Sequence, residues 1–113
     1  MNEPQSNLHF KEDTSLKELQ QYIAEMEEER GFTHVSVLQT YLLLVEEVGE
    51  LAKCIRKSEK GMRTDSAKNY DEETAHEVAD IIMVLTAVAN RLGVDIESAV
   101  REKEEQNKRR VWK

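Results

Sequence analysis

An all-α domain is expected from three features of this 113-residue chain. Residues that interrupt helices are scarce, with one proline and four glycines, while Leu, Ala, Glu and Lys are abundant. Apolar residues recur at helical spacing in four separate stretches. Helix start and stop signals fall at the ends of those stretches. The length fits one domain with a core of modest size. Residues 1–13, polar and carrying Pro4, read as a flexible N-terminal arm, and residues 14–113 as the folded domain.

The first helix opens on Ser15, with Glu18 completing a capping box in which each side chain satisfies a free backbone N–H. Leu16, Leu19, Ile23 and Met26 carry its periodicity to about Arg30, and Gly31 stops it. The run Glu25, Glu27, Glu28, Glu29 reads as a solvated face. A second helix spans about Ser36 to Glu59. Val37, Leu38 and Tyr41 to Val45 make its first half apolar nearly all round. Such a helix is covered on every side, by its neighbours or by a second subunit. Leu44, Val48, Leu51 and Ile55 fall on one stripe, taken as the main core contact. Leu43, Glu47 and Glu50 fall on an adjoining one.

The pattern breaks between Ser58 and Tyr70, where a long loop would carry Lys60, Arg63 and Lys68, and Asn69 or Asp71 would cap the next helix. This third helix is expected over about Asp71 to Leu92, stopping at Gly93, with Val78, Ile81, Leu85, Val88 and Leu92 toward the core. Asp95 caps a fourth, which runs through Ile96, Ala99, Val100 and Lys103 and ends near Trp112.

A net charge of −7 argues against general affinity for nucleic acid or anionic membranes. The basic residues nonetheless gather in two clusters, Lys53 to Lys68 and Arg101 to Lys113, and either could face an anionic small molecule or simply be a solvated helix end. The single cysteine, Cys54, excludes an internal disulfide and reads as a small hydrophobe. No signal peptide is visible and no apolar run approaches about 18 residues, so a cytoplasmic protein is expected.

The chemistry lies in two acidic insertions. Glu47 and Glu50 interrupt one apolar run, and Glu77 and Asp80 interrupt another. Within each pair the spacing is three, which makes the side chains neighbours, with Cβ atoms about 5–6 Å apart on a helix. Packed antiparallel, the two helices would gather four carboxylates, which repel unless protonated or offset by a cation. Oxygen donors without Cys or His suit Mg²⁺ or Mn²⁺ rather than Zn²⁺. Mg²⁺ takes part of its shell from substrate phosphates and activates water for attack on them. One such pair carries little weight in a chain with 23 acidic residues, but two in the most apolar helices carry more. Glu73 and His76 form an E-x-x-H of the kind used in di-iron bundles, but a second copy is lacking, and the match reads as coincidence. His9 and His34 read as surface residues.

The pattern Glu46-Glu47-x-x-Glu50, a gap of 26 residues, then Glu77-x-x-Asp80 resembles the signature of the MazG-like nucleoside triphosphate pyrophosphohydrolases. The stretch from Leu44 to Lys53 is similar to the family's first motif, and Lys103 to Trp112 to its closing K-x-x-x-N-x-x-R-x-W-like segment. This resemblance covers roughly residues 15–112. It implies a four-helix bundle-like fold assembling as a homodimer or homotetramer. It also implies Mg²⁺-dependent cleavage between the α and β phosphates of a nucleoside triphosphate, releasing a monophosphate and pyrophosphate. By position, Glu47, Glu50, Glu77 and Asp80 would be metal ligands, and Glu46 an accessory acid supporting a ligand or orienting water. Lys103, Asn107 and Arg110 would contact the phosphates. Phe32, His34, Tyr41 and Trp112 are candidates to stack on a base.

Two rivals remain at this level. A phosphoribosyl-ATP pyrophosphohydrolase shares the helical superfamily. A non-catalytic helical interaction module would use the acids only to face a partner.

Overall fold

The computed structural model describes residues 6–59 and 70–111, with Tyr70 and Asp71 described by backbone alone. Four helices and no strand occur among the described residues: α1 (Leu16–Glu29), α2 (Val37–Glu59), α3 (Tyr70–Arg91) and α4 (Ile96–Lys108). The loop expected to carry Lys60, Arg63 and Lys68, the expected caps Asn69 and Asp71, and the expected helix end near Trp112 fall outside the described residues or side chains.

Local chemistry sets the helix ends. Glu18 N donates to Ser15 Oγ at 3.1 Å and Ser15 N to Glu18 Oε1 at 2.9 Å, closing the expected capping box. Ser36 and Gln39 repeat the arrangement at the start of α2, and Asp95 Oδ1 accepts from Ser98 N at α4. Gly31 and Gly93 both take positive φ, of 76° and 69°. There the residue after each glycine donates back to a carbonyl of the last turn, Phe32 N to Glu27 O and Val94 N to Ala89 O. Helix α4 ends earlier than expected. Its C-cap is Arg109, so Arg110 lies beyond the helix, with its N–H on Asn107 O.

Helices α2 and α3 form the main pairing, α1 lies against α3, and α4 against α1. A small core of Ile23, Met26 and Ala87, flanked by Leu8, Leu19, Tyr22 and Met83, joins α1 to the C-terminal half of α3. From Ser6 onward the N-terminal segment lies along α1. Phe10 stacks on Tyr22 at 3.9 Å, and Lys11 Nζ meets Glu18 Oε2 at 2.6 Å. A polar clasp closes the far side. Gln20 Nε2 donates to Asn90 Oδ1 and Val94 O, Asn90 Nδ2 to Gln20 O, and Ile96 N to Gln20 Oε1.

Two expectations about faces are corrected. Val48 and Ile55, assigned to the core stripe of α2, are 50% and 45% exposed, and the side packed on α3 carries Thr40, Leu44, Glu47, Leu51 and Cys54. On α3, Ile81 and Val88 face inward, but Val78, Leu85 and Leu92 do not. Both helices are apolar on two sides, and only one side of each faces the other. The opposite sides leave Leu38, Leu42, Val45 and Val48 of α2, and Val78, Ile82 and Leu85 of α3, exposed. The third correction is Glu27. It is not solvated but 8% exposed, paired with Arg91.

Candidate metal and nucleotide site

Glu47 lies on the packed side of α2 because it falls one helical turn from both Leu44 and Leu51. Glu77 occupies the matching side of α3, and Asp80 follows one turn later at an exposed position. Glu47, Glu77 and Asp80 each offer a carboxylate oxygen, and these oxygens all lie within 4.8 Å of one another. Antiparallel packing brings them together from distant parts of the chain.

No cation among the described side chains offsets this group. The Glu47 carboxyl titrates above its ordinary range, chiefly because it hydrogen-bonds Glu77, then because burial disfavours its charge, and then through the negative charge of Glu77, Asp80 and Glu50. Glu77 Oε2 is buried without a hydrogen-bond partner among the described residues. A buried carboxylate oxygen in that position is costly unless something accepts its lone pair. Oxygen-only donors, mutual repulsion and an unsatisfied buried lone pair fit a hard divalent cation such as Mg²⁺.

Other residues singled out in the sequence are placed differently. Glu50 is exposed and lies outside the close group, with its Oε2 3.8 Å from Lys53 Nζ. Glu46 is exposed, about 100° around the helix from Glu47. Lys103 and Arg110 are exposed and Asn107 is half-buried, and α4 packs on α1, away from the acids. His76 is exposed and does not join the acidic group.

A cavity of about 420 Å³ opens from the acids. Glu47 and Asp80 stand at one end, while Glu27, Arg30 and Arg91 line the other. Met26, Phe32, Leu43, Met83, Val84 and Ala87 supply its apolar walls. Of the candidate base-stacking residues, Phe32 lines this cavity and His34 and Tyr41 do not. Sequence reasoning missed Arg30, Gln39 and Arg91. The signal for Arg91 was present, since it continues the helical stripe Asp80, Val84, Ala87.

These features define a helical protein with a group of acids that could hold a cation, beside a cavity of small-molecule size. A family model described as MazG nucleotide pyrophosphohydrolase domain matches residues 32–112, and the chain belongs to that family. It is similar to the uncharacterized protein YvdC of Bacillus subtilis (strain 168), with 27% identity over 95 residues that cover 80% of this chain and 90% of the relative. None of the described helices is long and apolar enough to cross a membrane.

Proposed function

We propose that the protein is a Mg²⁺-dependent nucleotide pyrophosphohydrolase, with Mn²⁺ as a substitute. It would cleave the α–β phosphate bond of ribo- or deoxyribonucleoside triphosphates to a monophosphate and pyrophosphate, as nucleotide-pool housecleaning. The observation that carries this reading is the Glu47–Glu77–Asp80 cluster on the rim of the cavity, in a chain of this family. Glu47, Glu77 and Asp80 would hold the cation, and Glu50 would join them by releasing Lys53. The bound cation would neutralise the triphosphate and polarise the phosphorus under attack. Glu46 would orient the attacking water. Hydrolysis adds that water across the α–β anhydride and releases pyrophosphate.

Lys103, Asn107 and Arg110 are proposed as phosphate contacts supplied by a second copy, because none of the three lines the cavity of its own chain. A homodimer, or a homotetramer built from it, is supported by the uncovered apolar sides of α2 and α3. Two such hairpins, related by a two-fold axis, would bury these sides against each other as a four-helix bundle. Sedimentation at micromolar concentration is expected to give a dimer or larger, and a monomer would contradict it. The activity is tested by release of pyrophosphate from a panel of NTPs and dNTPs with Mg²⁺ or Mn²⁺. Hydrolysis of none of them, with either ion, would overturn the reading.

A further inference from the structure

The cavity beside the acids is long, and its two ends differ chemically. Asp80, Val84, Ala87 and Arg91 line it along one stripe of α3. The eleven steps from Asp80 to Arg91, at about 1.5 Å each, make that wall about 16 Å long. The acidic end suits a cation and phosphates. The far end carries Arg30, Gln39 and the Glu27–Arg91 pair.

The polar groups at the far end are unequally committed. Arg91 Nη2 bonds Glu27 and donates to Phe32 O at 3.0 Å, while its Nε is buried without a hydrogen-bond partner among the described residues and is a further donor at this end. Gln39 Oε1 accepts from Ser36 N and Ser36 Oγ, which leaves its amide nitrogen as the available group. The Thr40 hydroxyl donates to Ser36 O. Arg30 forms no ion pair among the described residues. Arg30 and the Gln39 amide nitrogen are both donors, and a guanidinium can only donate. Phe32, Leu43 and Met83 supply apolar surface suited to a flat ring.

We propose that this cavity is the nucleobase pocket and that it selects bases with a carbonyl at purine C6 or pyrimidine C4 (guanine, hypoxanthine, uracil, thymine) over those with an amine there (adenine, cytosine). A carbonyl oxygen accepts from Arg30 or Gln39, and guanine and hypoxanthine offer arginine a two-pronged acceptor edge. An amine at the same ring position sets donor against donor and leaves a desolvated group unpaired. The inference rests on the pyrophosphohydrolase reading and narrows its substrate class.

The test uses pairs that differ at that position and at the adjoining ring nitrogen, which carries a proton beside the carbonyl and none beside the amine. With Mg²⁺, kcat/KM is expected to favour ITP over ATP and UTP over CTP by about tenfold, the value of one hydrogen bond to a charged donor. Arg30→Met, at an exposed position, is expected to bring both ratios to within about twofold. Equal rates within each pair, or a preference for the amine, would overturn the proposal. So would an Arg30→Met loss equal for all four nucleotides, since that marks a phosphate contact. Failure of the activity itself is read separately, from thermal shifts with α,β-imido analogues of GTP and ATP. A larger shift with the guanine analogue supports the pocket even without turnover, and equal shifts overturn it.

Discussion

Helix α3 meets carboxylates at two places, one buried and one a half-buried group, and the two are completed in opposite ways. At its C-terminal end, Glu27 of α1 is buried against Arg91, which also holds Phe32 O. In its N-terminal half, Glu77 is set against Glu47 and Asp80, and its Oε2 has no hydrogen-bond partner among the described residues. At the first site the carboxylate is offset within the chain, although Arg91 Nε is buried without a hydrogen-bond partner among the described residues. The second repeats like charge and is satisfied only by a proton or by a cation from outside. Burial of an acid therefore says little until its partner is known. The paired acid holds α1 and the connector to α3, and the unpaired group is where a ligand would be bound.

The largest expected effect separates the two sites by activity. Asp80→Asn keeps the shape of the side chain and removes its charge. Turnover is expected to fall by a factor on the order of 10³, about 4 kcal/mol in the barrier. The urea midpoint of the cation-free protein should stay or rise, because a like charge has been removed. Retained turnover would remove Asp80 from the proposed ligand set, and a large loss of stability would make the acidic group structural after all.

The next effect is the reverse. Arg91→Met leaves Glu27 buried without its cation and is expected to destabilise by about 3 kcal/mol, at the low end for breaking a buried pair because both side chains retain some exposure. Adding Glu27→Gln should restore part of that loss, since the stranded charge is then gone. Urea titrations of the single and double variants measure both. A single variant as stable as the wild type would mean that the pair holds nothing together.

Signals of short range were legible in the sequence, and signals that depend on long-range packing were not. Ser15 with Glu18, Gly31, Gly93 and Asp95 act within a few residues of themselves, and the helix ends follow them. The family and the acidic spacing were equally plain, and packing does bring Glu47, Glu77 and Asp80 together. Glu27 was hidden because it sits in a run of glutamates and its partner is 64 residues away. The inward side of α2 was misassigned because that helix is apolar on two sides. Periodicity identifies both stripes without saying which meets α3 and which is left for another copy. Glu50 and the α4 residues follow the motif spacing, yet nothing local turns them toward the acids.

The smallest effect concerns protons. Because the Glu47 carboxyl titrates above its ordinary value of 4.5, the folded cation-free protein binds that proton more tightly than the unfolded chain does. Its contribution favours the fold at low pH and is lost as pH rises from the ordinary value through the raised one. Glu18 works in the opposite sense. Its hydrogen bond to Lys11, then those to Ser15, hold it down at about 2, so its contribution is present above the ordinary value and is lost on acidification. Urea midpoints between pH 4 and 8 are therefore expected to fall less steeply with pH in Glu47→Gln than in the wild type. Saturating Mg²⁺ should reverse the wild-type slope, because the cation requires the deprotonated carboxylate and competes with its proton. Identical slopes for the two proteins without Mg²⁺ would mean that Glu47 and Glu77 do not share a proton, and the contrast with the Glu27–Arg91 pair would lose its electrostatic basis.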